Sequence, residues 1–343
     1  MQRSASKAGP IVLVTTRLFD DEAEAILVRG GCVVRRSGLP EGELDSTISD
    51  NRMHELLQDA DGWIVGVFPV TRALLQAFPA LKVISRRGVG YDTVDIAAAN
   101  DLGRTVTIAV GGNEPSVADH AAALILALGR RLCESTCLLR TGQWETLLAS
   151  ELRGKTLGLI GLGQIARGVA ERLRAFGPRI VAADPSADAQ EWASANGVEI
   201  VQMAELLIVS DAISLHVPLL SSTRHVIDRA ALATVKPTAI LVNTARGGLV
   251  DDRALLDALR GGRLAGAALD VFESEADAAL MSVTKDLLAC PNFIGTAHAA
   301  GSSIEGLARA NLIAAENVLA VIRGEQPPSH RVVTRAGQPA PHI

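Results

Sequence analysis

The sequence has few cysteines, no excess of positive charge and no long apolar run. Its four cysteines, at positions 32, 133, 137 and 290, form no C-x-x-C pair and no cluster with metal-ligand spacing, so we expect neither disulfides nor a metal site. The net charge is −5, which argues against nucleic acid and anionic membranes as partners. The longest apolar run, residues 121–128, is far too short to span a bilayer. These absences favour a soluble, cytoplasmic protein.

The alternation of short β-branched runs with helical segments predicts two α/β domains. A chain of 343 residues is long enough for two domains with separate cores. Such alternation is typical of a parallel sheet that is covered by helices on both faces. We predict strands at 11–14, 32–34, 63–65, 82–84, 105–107, 156–160, 179–183, 198–200, 212–215, 239–243 and 266–269.

One glycine-rich stretch has the features of a dinucleotide-binding turn. An apolar run at 156–160 is followed by Gly161 and Gly163 and then directly by a helical segment. Gly161 permits the tight turn, and Gly163 lets a pyrophosphate approach the backbone at the positive end of the helix. Asp184 ends the next apolar run, where its carboxylate can accept from both ribose hydroxyls of NAD and would repel the additional phosphate of NADP. The alternative is a tight turn without a ligand, but the whole pattern predicts a site for NAD rather than NADP.

Two segments indicate how the domains are connected. The glycines and proline at 111–116 precede a helix predicted at 117–132 and indicate a hinge. The last predicted helix, 303–322, follows the completed second domain and is expected to dock on the first. We therefore predict a discontinuous substrate-binding domain of residues 10–108 and 302–325 and an NAD-binding domain of residues 109–301. The polar ends, residues 1–9 and 326–343, are predicted to be flexible tails.

Three ionisable side chains follow strands or apolar runs of the second domain. Arg246 follows the run at 239–243, Glu275 the run at 266–269, and His298 an apolar run at 293–297. Because the carboxyl ends of parallel strands share one edge, the three can converge with the glycine turn on one cleft. Arginine binds a carboxylate with two donors, and histidine exchanges a proton at neutral pH when a carboxylate holds its ring. The set suits hydride transfer between nicotinamide and C2 of a 2-keto or 2-hydroxy acid, although each residue alone is more often a surface charge.

A loop of the first domain is a candidate for binding the substrate carboxylate. Residues 85–92 follow a predicted strand and contain glycines on both sides of Val89. The backbone N–H groups of Val89 and Gly90 could bind a small anion, and a plain strand-to-helix turn explains the same sequence equally well. His120, His216 and His225 are interpreted as ordinary satisfied histidines rather than proton donors, with the backbone of His216 bordering the cofactor.

Over residues 10–325 the chain resembles the D-isomer-specific 2-hydroxyacid dehydrogenases. The resemblance is carried by residues 161–166 (GLGQIA), 215–219 (LHVPL) with Thr223, 243–251 (NTARGGLVD) and 267–275 (AALDVFESE). The spacing from Arg246 to Glu275, 275 − 246 = 29 residues, matches the family and selects Glu275 rather than Glu273. Residues 86–92 and 113–120 are most similar to the phosphoglycerate dehydrogenase and hydroxypyruvate reductase branch.

The resemblance implies an NAD-dependent oxidoreductase acting on a small 2-hydroxy or 2-keto acid of the phosphoglycerate, hydroxypyruvate or glyoxylate type. It implies two doubly wound parallel-sheet domains, with a Rossmann NAD-binding domain inserted in a flavodoxin-like substrate domain. His298 would be the acid–base, Glu275 its partner and Arg246 the contact to the carboxylate and carbonyl, while Val89 and Gly90 would bind the substrate carboxylate. Cofactor contacts are implied at Gly161, Gly163, Gln164, Ile165, Asp184, Val217, Pro218, Thr223, Thr244, Ala245, Arg246, Asp270, His298 and Gly301. A homodimer through the NAD domains is also implied, with the long helix and the loop near Trp144 in the contact.

The chain departs from the family pattern in three places. The usual prolines after the glutamate and before the histidine are Ala276 and Ala297, and the loop at 276–289 is longer. The segment 65–70 carries no cation for a phosphate, so a phosphorylated substrate is expected only if Arg86 or Arg87 binds it. Two other functions stay open: an NAD(H)-sensing binding protein of the co-repressor kind on the same scaffold, and the oxidation of formate or phosphite.

Overall fold

A computed structural model describes residues 9–40 and 43–335 and divides the chain into two compact units. One unit comprises residues up to Asn113 and from Ser302 onward, and the other is Glu114–Gly301. Of the flexible tails predicted at 1–9 and 326–343, residues 1–8 and 336–343 lie outside the described residues. Each unit is an α/β structure with one sheet.

The sheet of the first unit contains five parallel strands in the order β2-β1-β3-β4-β5. This is the flavodoxin-like strand order, in which ligands bind at the carboxyl edge. Side chains that accept from helix N–H groups explain where its helices begin, for example Asp20 before α1 and Thr71 before α3. The elements are β1 (Ile11–Val14), α1 (Asp21–Arg29), β2 (Val33–Arg36), a short 3-10 helix (Asp45–Thr47), α2 (Asp50–Leu57), β3 (Gly62–Val65), α3 (Arg72–Ala77), β4 (Val83–Arg86), α4 (Ile96–Asp101) and β5 (Thr105–Ile108).

The second unit is built on a seven-stranded parallel sheet. Its elements are α5 (Glu114–Gly129), α6 (Leu132–Arg140), β6 (Thr156–Ile160), α7 (Gln164–Leu173), β7 (Arg179–Ala183), α8 (Ala187–Asn196), β8 (Glu199–Ile200), α9 (Met203–Val209), β9 (Ala212–Leu215), α10 (Arg229–Thr234), β10 (Ile240–Asn243), α11 (Asp252–Arg260), β11 (Gly266–Leu269), α12 (Met281–Leu288) and β12 (Phe293–Gly295). The strand order is β12-β11-β10-β9-β6-β7-β8. The chain therefore reverses its direction across the sheet between β6 and β9, and the turn after β6 lies at the switch point where nucleotides bind in such sheets.

Alternate residues of the central strands pack on opposite faces of this second sheet. Leu157 and Leu159 belong to a cluster formed with α5 and α7, whereas Ile213 and Leu215 belong to a cluster formed with α11. A strand that is buried on both faces reads as a continuous apolar run, which is why the strands of this unit were predictable from sequence.

Two segments of the second unit differ from the sequence expectation. The helix predicted at 117–132 begins earlier, at Glu114, and ends at Gly129, because Arg131 adopts a left-handed φ of 50° that separates α5 from α6. The segment 276–289, expected to be a loop, contains a 3-10 turn and α12, whose residues Val283 and Leu287 are buried.

The chain then returns to the first unit. Helix α13 (Ile304–Ile322) packs on α1, β3 and β4, where Val318 approaches Gly62. Residues 109–113, predicted to open the second domain, belong to the first unit instead, because Ala109 packs against Ala310 and Ile313 of α13.

The prediction of a flexible tail from residue 326 is wrong for Val332–Thr334. This segment forms β13, which pairs antiparallel with β5 at the edge of the first sheet. Both of its valines are buried, and their burial outweighs the entropy that a free tail would keep.

The predicted fold class, two doubly wound α/β domains with an inserted Rossmann domain, is confirmed. Among the described residues, no helix has both the length and the hydropathy that crossing a membrane requires.

Candidate active site

The turn after β6 requires a glycine at its first position. Gly161 has a φ of 87°, and a Cβ atom there would lie 2.9 Å from the carbonyl oxygen of His216 and 2.9 Å from Val217 Cγ1. Its N–H donates to the carbonyl oxygen of Ala183 at the end of β7. The close approach of these loops therefore depends on the missing side chain.

The second glycine of the turn leaves space for a ligand at the start of α7. Gly163 is the N-cap of α7. Within the described part of the chain, no side chain caps this helix end, and a Cβ built on Gly163 would meet no atom within 4 Å. Gln164 and Ile165 form the first turn of the helix, where backbone N–H groups have no intrahelical acceptor. This open, positively polarised end fits the pyrophosphate of a dinucleotide.

Asp184 lies at the carboxyl end of β7, beside the glycine turn. Its carboxylate accepts from the N–H of Leu162 (2.8 Å) and from the N–H of Ser186 (2.9 Å). Partial burial raises the pKa of Asp184, but these hydrogen bonds outweigh it and hold the pKa below its ordinary value. The side chain is therefore ionised at neutral pH, as binding of an unphosphorylated ribose requires.

The loop after β9 has an internal turn. The Thr223 hydroxyl donates to the carbonyl oxygen of Pro218 (2.6 Å) and accepts from the N–H of Leu220 (2.7 Å), so Thr223 shapes the loop that begins at Val217. His216 Nε2 is buried without a hydrogen-bond partner, and burial lowers the pKa of this imidazole to about 4. A neutral His216 at physiological pH agrees with its interpretation as a residue other than the proton donor.

Arg246 lies in a turn that Asn243 holds together at the end of β10. Asn243 Nδ2 donates to the carbonyl oxygen of Arg246 (2.8 Å), and Asn243 Oδ1 accepts from the N–H of Ala245 (3.0 Å). A Cβ on Gly247 would lie 2.2 Å from the carbonyl oxygen of Phe272, so a larger residue would push the turn away from the segment after β11. Thr244 Oγ1 is buried and has no hydrogen-bond partner among the described residues, which leaves this hydroxyl for a bound group.

Glu275 and His298 form a direct pair. His298 Nδ1 lies 2.7 Å from Glu275 Oε2, while Glu275 Oε1 accepts from the N–H of Phe272 at the same distance. The His298 side chain is 55% exposed, so its Nε2 edge is open to a ligand. The hydrogen bond to Glu275 raises the pKa of His298, against the opposing effects of burial and the charge of Arg246.

Asp270 organises the backbone around His298. This carboxylate, only 1% exposed, accepts from the N–H groups of Ala299 (2.8 Å) and Ala300 (2.9 Å), just before Gly301. The backbone oxygen of Asp270 accepts from His298 N–H (2.8 Å). His298 adopts a φ of 49°, a conformation that costs energy for a residue other than glycine.

The sheet brings the three predicted catalytic side chains to one edge. Arg246, Glu275 and His298 follow β10, β11 and β12, which are adjacent and parallel. Val89 and Gly90 lie in the first unit after β4, where Arg86 Nε donates to the carbonyl oxygen of Gly90 (2.9 Å).

A buried cluster beside this edge was not predicted from sequence. Glu273 Oε1 lies 2.7 Å from His225 Nε2, and Glu273 Oε2 accepts from the N–H of Asp252 (3.1 Å). Asp252 Oδ2 accepts in turn from the N–H of Glu273 (3.0 Å). Glu273 therefore points away from His298, and Glu275 is the carboxylate that meets the imidazole. Glu273 and Glu275 lie in a short 3-10 helix, where side chains two positions apart point in different directions, so no short sequence pattern distinguished their partners.

Comparisons with known proteins show which family the chain is similar to. A family model described as D-isomer specific 2-hydroxyacid dehydrogenase, NAD binding domain, matches residues 122–300. The D-3-phosphoglycerate dehydrogenase of Methanocaldococcus jannaschii is 41% identical over 320 residues, 92% of this chain and 58% of that relative. The chain thus spans little more than half of that relative's length.

Two further proteins match over most of their own length. The hydroxypyruvate reductase of Thermotoga maritima is 38% identical over 274 residues, 79% of this chain and 88% of the relative. The crystal structure of D-lactate dehydrogenase from Aquifex aeolicus, complexed with NAD and lactic acid, matches with a TM-score of 0.76 at 30% identity, over 92% of this chain and 96% of that chain. The chain therefore belongs to the D-isomer-specific 2-hydroxyacid dehydrogenase family and is an NAD-dependent oxidoreductase.

Proposed function

We propose that this dehydrogenase interconverts a small, unphosphorylated 2-keto acid and its D-2-hydroxy acid, with Arg246, Glu275 and His298 as the catalytic residues. The observation that carries the proposal is the 2.7 Å contact between His298 Nδ1 and Glu275 Oε2. The two residues follow β12 and β11, and β11 is also the neighbour of β10, which Arg246 follows. This arrangement leaves the Nε2 atom of the imidazole for the substrate, and the hydrogen bond to Glu275 raises the pKa of His298 and so favours the imidazolium.

The cofactor would be held by the turn after β6 and by Asp184. The open face of Gly163 and the N–H groups of Gln164 and Ile165 would receive the pyrophosphate, and the ionised Asp184 would receive the adenosine ribose. Val217, Thr244 and Gly301 would border the nicotinamide. When bound, NADH supplies the hydride that reaches the carbonyl carbon.

Each catalytic side chain has a separate task in the reduction of the keto acid. His298 Nε2 gives its proton to the carbonyl oxygen, while Glu275 holds Nδ1 and favours the imidazolium. Arg246 binds the carboxylate with two donors and stabilises the negative charge that develops on the oxygen. In the oxidation of the hydroxy acid, His298 takes the proton back.

The first unit supports a substrate without a phosphate. The segment 65–70 carries no cation. Arg86 donates to the carbonyl oxygens of Gly90 (2.9 Å) and Val65 (3.5 Å), and Arg87 donates to the carbonyl oxygen of Arg17 (2.5 Å). Both guanidiniums thus use donors on backbone carbonyls of the first unit, and we propose that the backbone N–H groups of Val89 and Gly90, rather than these side chains, bind the substrate carboxylate.

A substrate panel tests the proposal. Glyoxylate, hydroxypyruvate, pyruvate and phosphohydroxypyruvate would each be mixed with NADH and with NADPH, and the loss of reduced-cofactor absorbance followed. We expect turnover of at least one unphosphorylated acid with NADH, and lower kcat/KM for the phosphorylated acid. A higher kcat/KM for phosphohydroxypyruvate would refute the substrate assignment, and no turnover with any acid would favour a protein that senses NADH.

Variants of the two main catalytic residues test the roles themselves. His298→Ala and Arg246→Ala should each lower kcat/KM. The expected loss of transition-state stabilisation is on the order of 3 kcal/mol for each variant. NADH binding, followed by fluorescence, should be nearly unchanged. Turnover close to that of the wild type in both variants would contradict the assignment.

We also propose that two copies associate through the NAD-binding units. Two large apolar side chains, Trp144 (92%) and Leu148 (90%), are exposed between α6 and β6. Leu148 also lines a hollow of about 1120 Å³ formed by α5, α6 and the segment before β6. Exposed apolar residues beside such a hollow are typical of a surface that a second copy covers.

The four free thiols support a reducing cytoplasm as the location.

A further inference from the structure

His120 of α5 lies against the segment that carries the proton-exchanging imidazole. His120 Nε2 is 3.1 Å from Thr296 Oγ1, and Thr296 directly follows β12, two residues before His298. The same nitrogen is 3.7 Å from Asp270 Oδ1. His120 is 24% exposed, so most of the ring is enclosed by its neighbours.

The hydrogen-bond roles in this group are fixed by the number of available protons. Asp270 is a carboxylate that only accepts, and Thr296 Oγ1 lies 2.5 Å from Asp270 Oδ1, so the single hydroxyl proton of Thr296 points to Asp270. The threonine oxygen can then only accept from His120. His120 must therefore carry its proton on Nε2, and the chain of donation runs from His120 to Thr296 to Asp270.

Asp270 connects this chain of hydrogen bonds to the backbone around His298. The Asp270 carboxylate binds the N–H groups of Ala299 and Ala300 after the histidine, and its backbone oxygen binds the N–H of His298. These bonds hold His298 at a φ of 49°. A left-handed conformation in a non-glycine residue persists only when surrounding contacts impose it, and His120 adds to those contacts from outside the loop.

We propose that His120 is a positioning residue of the dehydrogenase: it donates through Thr296 to Asp270 and so keeps residues 296–300 in the conformation that places His298 on Glu275. This inference rests on the proposed role of His298 in proton transfer. His120 acts on the imidazole through two other side chains, so its removal should affect the rate of the reaction rather than the binding of the cofactor.

Two substitutions at position 120 separate donation from packing. His120→Leu keeps most of the volume but has no donor, whereas His120→Gln places an amide N–H close to the position of Nε2. We expect the leucine variant to lower kcat about tenfold, the rate equivalent of one hydrogen bond, with the dissociation constant of NADH changed less than about twofold. The glutamine variant should recover most of the lost rate. His54→Gln, an exposed histidine on α2, is the matched control and should have wild-type kinetics.

The partner side of the contact gives a second, independent variant. Thr296→Val removes the hydroxyl through which His120 acts, so it should lower kcat by a similar factor. The double variant His120→Leu/Thr296→Val should be no slower than the slower single variant, because both remove the same link. Additive losses, or a glutamine variant as slow as the leucine variant, would overturn the proposal.

The variant His298→Ala distinguishes a failure of this proposal from a failure of the proposed function. If His298→Ala keeps wild-type turnover, the role of His298 is wrong, whatever the His120 variants do. If His298→Ala is inactive and His120→Leu keeps the wild-type kcat, the catalytic assignment stands and the positioning role of His120 is refuted.

Discussion

At the scale of single residues, the proposed role of His298 in proton transfer depends on which atoms already bind its ring and backbone. The Glu275 carboxylate binds Nδ1 of the ring, and the carbonyl oxygen of Asp270 accepts from the backbone N–H of His298. The exposed edge of the ring remains available for the proposed proton exchange. A group oriented in this way needs little reorganisation when the substrate arrives. The same principle applies to Arg246, whose backbone Asn243 fixes before any substrate is bound.

Glu275→Gln should shift the pH dependence of catalysis. The hydrogen bond to the Glu275 carboxylate is the largest factor that raises the pKa of His298, so a neutral amide should lower that pKa. Reduction needs the imidazolium, which is lost as pH rises through the pKa of His298. The alkaline limb of kcat/KM for keto acid reduction should therefore move to lower pH, with a loss of about tenfold or more at alkaline pH. An unchanged limb position would argue against the pair.

Asp184→Ser should weaken the discrimination between NADH and NADPH. The ionised carboxylate accepts hydrogen bonds and repels a 2′-phosphate, and serine removes the charge while keeping a small polar group. Because hydrogen bonds to charged groups are worth about 1.5–3 kcal/mol, kcat/KM with NADH should fall by about 10- to 100-fold, and the NADH/NADPH ratio should fall with it. Parallel initial-rate measurements with both cofactors check this. A ratio that stays at the wild-type value would remove Asp184 from the cofactor site.

At the scale of secondary-structure elements, sequence predicts best what depends on local pattern. The buried strands, the glycine turn after β6 and the residues that follow β10, β11 and β12 were all visible as apolar runs with characteristic ends. Because parallel strands expose their carboxyl ends at one edge, the approximate grouping of Arg246, Glu275 and His298 also followed.

Elements that depend on tertiary contacts were less predictable. The edge strand β13 is three residues long and exists through its pairing with β5, and the break at Arg131 depends on a single left-handed residue. The position of His298 has the same origin. Its left-handed φ and its bonds to Asp270 arise from the packing of β11 against β12, which no short sequence window contains.

The contact between α11 and the segment after β11 should make stability depend on pH. Burial is the main cause that raises the pKa of Asp252 to about 7, and the nearby charges of Glu273 and Asp251 add to it. The unfolded chain has an ordinary pKa of about 3.9. The contribution of Asp252 to stability is therefore fully present below about pH 4 and is lost as pH rises towards 7.

Asp252→Asn should remove this dependence, because the amide oxygen can still accept from the N–H of Glu273 and carries no charge. Denaturant unfolding of the wild type and the variant, at about pH 5 and about pH 8, would measure the difference. On going from the lower to the higher pH, the free energy of unfolding of the variant should rise relative to that of the wild type by on the order of 1 kcal/mol. If the free energy of unfolding changes equally in the two proteins between these pH values, the ionisation of Asp252 does not destabilise the folded state, and the prediction is wrong.

At the scale of the whole molecule, the proposed association of two copies rests on the apolar segment between α6 and β6. Trp144 and Leu148 would each bury a large apolar area at such an interface, and an aspartate in either place would introduce a charge that the interface cannot pair. Trp144→Asp and Leu148→Asp should therefore shift the wild-type dimer towards a monomer at micromolar concentration, as measured by light scattering after size-exclusion chromatography. Ile208→Asp, on the exposed side of α9, is the matched control and should remain a dimer. A monomeric wild type, or unchanged mass in both segment variants, would refute the interface, whereas the kinetics of the His298 and Arg246 variants would still decide the chemistry within each copy.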